Sequence, residues 1–157
     1  MARTQTERTY LATAVQNASP AGLVVILFDL LIADLNGAIA AIECNAVEEL
    51  ADKVKHAFLV LQQLDGSLDM ERGGQAAKHF SSFYSAIRCK VLEGQIKRSS
   101  DTLRRQIELL FEVRQAWQHV DQSNVGVKLE PQSAAASPSP QLTEPSDQEV
   151  TTANWTA

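Results

Sequence analysis

The apolar positions of the chain follow helical periods, and the most apolar stretch is residues 23–35, LVVILFDLLIADL. Only Asp29 and Asp34 interrupt it. The stretch is shorter than the run of about 20 apolar residues that a membrane-spanning helix needs, so we expect no membrane insertion. On a helical wheel at about 100° per residue, this region carries two apolar stripes. A helix at the edge of a bundle needs only one.

The two stripes predict two different neighbours for this helix. The stripe expected to face the core consists of Val24, Phe28, Leu31, Leu35, Ala38 and Ile42. The second stripe, roughly 140° away, consists of Leu23, Ile26, Leu30, Ala33, Gly37 and Ala41. Its small residues would let another backbone approach closely. Exposing the large ones would forgo roughly 1.5–3 kcal/mol per side chain and leave a patch typical of interaction sites.

Something must therefore cover the second stripe, and periodicity alone leaves three possibilities open. The N-terminal segment can cover it through Tyr10, Leu11 and Val15. A helix of another protein can bind there, which is an established mode of recognition. The helix can also lie centrally among five helices, with both stripes permanently buried.

Capping signals divide the rest of the chain into further helices. Ser19-Pro20 predicts a helix start that extends to about Glu43. Asn45, with Glu48 three residues later, predicts a capped second helix with an apolar face from Val47 to Leu68. The pair Gly73-Gly74 should interrupt helical structure. Two more periodic segments follow, residues 76–94 and a last helix that starts at Ser100 or Asp101.

These elements predict an all-α fold, an antiparallel four-helix bundle formed by residues 19–120, because short loops force neighbouring helices to run in opposite directions. Residues 1–18 form a short N-terminal helical segment that could act as a lid. Residues 121–157 contain four of the five prolines among Ser, Thr, Gln and Ala, and predict a disordered tail. Trp155 within it is interpreted as an isolated aromatic residue.

Composition and side-chain chemistry predict neither an enzyme nor a nucleic-acid-binding protein. The net charge is −5 and the pI about 5.2, without the basic excess of a nucleic-acid interface. Cys44 and Cys89 are far apart, and the start of the chain lacks the apolar segment of a secretory signal, so we expect a reduced cytosolic protein. His56, His79 and His119 lack metal-ligand spacing or a paired carboxylate. We therefore expect no catalytic residue, metal or cofactor.

Several motifs of the chain together resemble the FliS family of flagellar export chaperones. The resemblance extends from Tyr10 to Trp117 and is carried by Tyr10, Val15, Ala18-Ser19-Pro20, Leu23-Val24, Phe28-Asp29, the loop SLDMERGG at 67–74, Phe83-Tyr84, Arg114 and Trp117. The chain departs from the family pattern at Ala21-Gly22, where an acidic pair is usual, and at Leu30, where glycine is usual. Leu30 makes the second stripe bulkier.

The resemblance implies a cytosolic helical bundle that binds the disordered C-terminal segment of flagellin. Such a chaperone prevents premature polymerisation and delivers the subunit to the flagellar type III export gate. The partner-binding residues we predict are Tyr10, Leu11, Val15, Leu23, Ile26, Asp29, Leu30 and Ala33.

Two alternatives remain at this point. The same bundle could bind another flagellar regulatory protein. A histidine phosphotransfer domain is also a four-helix bundle, and its reactive residue would be His79. The lysine and glycine that follow the histidine in such domains are missing from Phe80-Ser81-Ser82-Phe83.

Overall fold

The computed structural model describes residues 5–127, with side chains at positions 6, 9 and 12–123. That range contains five helices and no strand, α1 (Gln5–Asn17), α2 (Pro20–Glu43), α3 (Val47–Gly66), α4 (Met70–Lys97) and α5 (Ser100–Val127). Helices α2 and α4 each pack against both α3 and α5, so the four long helices form a closed bundle. The all-α bundle prediction is confirmed.

The last helix is longer than predicted. Helix α5 extends to Val127, past the boundary that we placed at residue 121. Asp121 therefore belongs to the bundle and not to the tail. Most of the predicted tail, residues 128–157, lies outside the described residues.

Helix α2 begins at Pro20, where the sequence predicts, and its N-cap residue Ser19 is hydrogen-bonded to a residue of α5. The Ser19 hydroxyl oxygen accepts a hydrogen bond from the Gly22 amide at 2.9 Å, with Pro20 in the first turn. The first turn of α2 contains no acidic residue, but the Ser19 hydroxyl donates to the carboxylate of Asp121 on α5. A carboxylate at this position complements the positive end of the helix dipole. Asp121 thus supplies from α5 the negative charge that Ala21-Gly22 lacks.

The capping box predicted for Asn45 is wrong. Ala46 is the N-cap of α3 and makes no side-chain capping bond. Asn45 instead ends α2 in the left-handed conformation, at φ 57°. The Ala46 amide donates to the Ala41 carbonyl at 2.8 Å and the Asn45 amide to the Ile42 carbonyl at 3.1 Å. This is the Schellman pattern, in which asparagine tolerates the left-handed position. An N-cap residue needs an extended backbone, so Asn45 cannot end α2 in this way and also cap α3.

The loop between α3 and α4 shows why the two adjacent glycines interrupt the helix. Helix α3 ends at Gly66, two residues earlier than predicted. The carboxylate of Asp69 then accepts from the amides of Glu71 and Arg72, at 3.1 and 2.9 Å, and caps one helical turn. Gly74 stops that turn at φ 49° and ψ −121°, a conformation that only glycine adopts readily.

The turn between α4 and α5 repeats the pattern of the α2–α3 turn. Arg98 takes the left-handed conformation, and the Ser99 amide donates to the Gly94 carbonyl at 2.9 Å. The Ser99 hydroxyl oxygen then accepts from the Thr102 amide at 3.2 Å and caps α5, which begins at Ser100, one of the two predicted starts. The Arg98 guanidinium donates to the Asn45 side chain, which joins the two turns.

Four of the six residues in the stripe predicted to face the core are fully buried, while Val24 and Ile42 are partly buried and pack against the core. Phe28, Leu31, Leu35 and Ala38 have no solvent exposure. They pack with buried side chains of the other three long helices, Leu50, Val54, Ala57, Leu61, Leu64, Tyr84, Ile87, Val91, Leu103 and Leu110. The core therefore fixes which side of α2 remains available at the surface.

Candidate functional site

An apolar cavity of about 490 Å³ lies along the N-terminal half of α2, and we call it the α2 cavity. Its walls come from α1, α2, the end of α3 and the end of α5. The lining residues are Val15, Pro20, Ala21, Leu23, Val24, Ile26, Leu27, Leu30, Gln63, Ser67 and Trp117. Most of these side chains are apolar, as in sites that bind apolar ligand surfaces.

The first half of the second stripe opens into this cavity. Leu23 is 36 % exposed, and Ile26 and Leu30 are half-buried. Val15, the only predicted lid residue whose side chain is described, lies on α1 at the same cavity and is 46 % exposed. The structure thus brings together four of the predicted partner-binding residues around an accessible apolar surface.

The small residues of the second stripe, Ala33, Gly37 and Ala41, do not form the open surface for a partner backbone that the sequence predicts. Ala33 is exposed but does not line the cavity. A Cβ atom added at Gly37 would lie 2.9 Å from Cε of Lys53, because that side chain of α3 lies across the glycine. Ala41 is only 2 % exposed. The Lys53 side chain of α3 therefore covers Gly37, and Ala41 is buried in the core, so the stripe is not open at these two positions in the structure.

Asp29 forms an ion pair with α5 instead of lining the cavity. Its carboxylate accepts two hydrogen bonds from the Arg114 guanidinium, at 2.5 Å to Nε and 3.0 Å to Nη2. These hydrogen bonds raise the pKa of the Arg114 guanidinium above its usual value. The pair joins α2 to α5 about one helical turn before Trp117, a residue of the cavity wall. We therefore interpret Asp29 as a residue that holds this wall in place.

Tyr10 and Leu11 belong to α1, but their side chains lie outside the described positions. Their predicted role at the rim stays a prediction. The position of Val15 shows only that the end of α1 reaches the cavity.

Residues 2–124 match the family model described as flagellar protein FliS. The chain belongs to the FliS family. A comparison with curated protein sequences gave no significant match. FliS proteins are flagellar export chaperones and not an enzyme family.

Helix α2 of this FliS family member also has the length and composition of a membrane-spanning helix. Within residues 5–127 it is the single helix that does, with a mean hydropathy of 2.1 over its most apolar window. The expectation of no membrane insertion rested on residues 23–35 alone, whereas the helix has its predicted extent from Pro20 to Glu43. About 33 % of that window is buried, and its buried residues pack against α3 and α5, so burial in the bundle accounts for the core side of α2 and not for its open side.

The described part of this FliS family member holds no cluster of His, Cys, Asp or Glu that could bind a metal ion. Nδ1 of His56 hydrogen-bonds to the carboxylate of Asp34, a buried residue of α2. His79 is exposed, and its Nε2 lies 3.4 Å from the amide nitrogen of Gln75. Because FliS is a chaperone family and is not known as an enzyme family, family membership gives no support to the phosphotransfer alternative.

Sequence reasoning missed the walls that other helices contribute to the cavity. Gln63 and Ser67 come from the end of α3, and Trp117 from α5. Trp117 was noted as a family residue, which is the one signal that pointed to it. Gln63 and Ser67 carry no such signal, since their position depends on how far α3 extends along α2.

Proposed function

We propose that this FliS family member binds the disordered C-terminal helical segment of flagellin in the α2 cavity. Binding there would shield the segment from premature polymerisation until the complex reaches the flagellar type III export gate. The observation that supports the proposal is the accessible apolar floor formed by Leu23, Ile26 and Leu30.

The energetic requirement for such binding is substantial. A disordered segment that folds on binding costs about 2–5 kcal/mol or more in ordering. An amphipathic helix that places its apolar side in a groove can offset this cost with a few well-buried anchors. Each large aliphatic side chain removed from water contributes roughly 1.5–3 kcal/mol. Leu23, Ile26 and Leu30 are already partly buried, so each contributes only part of this amount, and the rest of the cavity lining must add to it for binding to exceed the ordering cost.

Isothermal titration calorimetry with a peptide of the flagellin C-terminal segment tests the proposal. We expect Ile26→Asp to weaken binding roughly 10- to 100-fold, because it places a charge on the apolar floor and removes about 1.5–3 kcal/mol of burial. Ile96→Asp is the matched control, since Ile96 is 73 % exposed and lies on α4 away from the cavity.

Thermal melts of both variants separate binding from folding. Ile26 is only half-buried, so we expect a folded variant with a modest loss of stability. A folded Ile26→Asp protein that binds flagellin as tightly as the Ile96→Asp control would exclude the α2 cavity as the binding site. Absence of flagellin binding in the unmodified protein, together with binding of another flagellar protein, would favour the adaptor alternative.

A further inference from the structure

A second apolar cavity lies between α4 and α5, and Trp117 is the one lining residue that it shares with the α2 cavity. It has a volume of about 440 Å³, and we call it the α4–α5 cavity. Its lining residues are Phe80, Glu112, Val113, Ala116, Trp117 and Val120. The Phe80 and Trp117 rings form one wall, with centroids 5.9 Å apart. Val120 is 47 % exposed at the rim.

This cavity lies close to the point where the described chain ends. All of its lining residues except Phe80 belong to α5, the helix that ends at Val127. Val120 precedes Val127 by two helical turns, a distance of about 10 Å. The contact between Ser19 and Asp121 holds this part of α5 against the start of α2. The described part of the chain therefore ends within a short distance of an open apolar cavity.

The sequence beyond Val127 contains one aromatic residue, Trp155. The segment from Val127 to Trp155 can span up to about 90 Å when fully extended, far more than the return to the cavity requires. A tethered group has an effective concentration on the order of millimolar, which favours it over a separate partner of similar intrinsic affinity. An indole also suits an apolar cavity whose wall consists of two aromatic rings.

We propose that Trp155 binds in the α4–α5 cavity, against Phe80 and Trp117. The contact gives the otherwise exposed apolar surface a covering from the same chain and limits self-association. The proposal does not depend on flagellin binding, because apart from Trp117 the two cavities have different lining residues.

Tryptophan fluorescence tests this proposal directly, because the protein contains only two tryptophans. In the full chain with Trp117→Phe, Trp155 is the sole emitter and the cavity keeps an aromatic wall. We expect blue-shifted emission and acrylamide quenching several-fold weaker than for a free peptide of residues 141–157. Adding Val120→Glu should restore the emission and quenching of the free peptide. Val47→Glu is the control, since Val47 is a 57 % exposed valine on α3 away from the cavity.

Fluorotryptophan NMR of the protein with both tryptophans provides a second measurement that leaves Trp117 in place. The Trp155 resonance, assigned with Trp155→Phe, should move to the position of the free peptide in Val120→Glu and not in Val47→Glu. Peptide-like quenching of Trp155 in the starting chain would overturn the proposal. Release by Leu23→Glu but not by Val120→Glu would place Trp155 in the α2 cavity instead, and concentration-dependent protection would indicate a second copy; either result also overturns it.

Discussion

Tyr84 shows how a single residue ties the stability of this bundle to pH. It is 1 % exposed, and its ring lies 5.8–6.3 Å from the rings of Phe28, Phe80 and Phe83, measured between centroids. Burial raises the pKa of its phenol from 10.0 to about 12, and the nearby carboxylate of Asp65 adds to the increase. The folded state therefore favours the neutral phenol more strongly than the unfolded state does.

Tyr84→Phe should reduce the loss of stability at alkaline pH. Because the pKa is higher in the folded state, the contribution of Tyr84 is complete below pH 10 and disappears as the pH rises from 10 towards 12. A difference of two pKa units corresponds to about 2–3 kcal/mol, of which about half is lost by pH 11. Urea unfolding of both proteins at neutral pH and at about pH 11 measures the effect. Equal losses of unfolding free energy in the two proteins would contradict this account of Tyr84.

The ion pair of Asp29 marks the limit of sequence reasoning at the residue scale. The sequence analysis places Asp29 among the predicted partner-binding residues. The structure pairs it with Arg114 within α5. Which residues of α2 and α5 meet depends on the relative shift of two helices that are separated by more than 50 residues in sequence, and periodicity within each helix contains no information about that shift.

At the scale of elements, two glycines differ in whether the packing of the helices requires them: Gly94 lies where a side chain would collide with a neighbouring helix, and Gly66 lies where a side chain would meet nothing. Gly94 on α4 is buried, and a Cβ atom there would lie 2.7 Å from Cδ2 of Leu103 on α5. Leu103 has no solvent exposure and little room to move. Gly66 ends α3, and a Cβ atom there would have no neighbour within 4 Å.

Alanine at these two positions should change stability in opposite directions. Gly94→Ala should destabilise the protein by about 1–3 kcal/mol, since overpacking against Leu103 exceeds the gain in helix propensity. Gly66→Ala should stabilise it by about 0.5–1 kcal/mol, because alanine favours the helix and meets no obstacle. Chemical denaturation measures both. A stabilised Gly94→Ala protein would show that α4 and α5 are less tightly packed than the structure indicates.

Periodicity predicted the existence of the long helices and the core side of α2, but not all of their ends. Ser19 was predicted correctly because Ser-Pro is a strong and local start signal. Asn45 was not, because asparagine suits both an N-cap and the left-handed end of a helix. The connection between α2 and α3 is short, so Asn45 can serve as only one of these, and it ends α2. The hydrogen bond that its side chain accepts from Arg98 joins residues 53 positions apart, so no local sequence pattern could predict it.

For the whole molecule, the arrangement of the helices leaves α2 with one buried and one partly open side. Its core stripe is sealed by α3 and α5, while Leu23, Ile26 and Leu30 remain accessible at the α2 cavity. Trp117 lines this cavity and the α4–α5 cavity, so one indole borders both apolar surfaces. The sequence predicted the floor of the α2 cavity, whereas its walls depend on the assembled bundle.

The most direct test of flagellin binding uses Trp117 as a reporter inside the α2 cavity. In Trp155→Phe protein, Trp117 is the sole emitter, and titration with the flagellin C-terminal peptide should give a saturable change in its emission. The same titration in Trp155→Phe with Ile26→Asp should require roughly 10- to 100-fold more peptide. Calorimetric binding without any change in Trp117 emission, or equal affinities with and without Ile26→Asp, would contradict the assignment of the α2 cavity as the flagellin site.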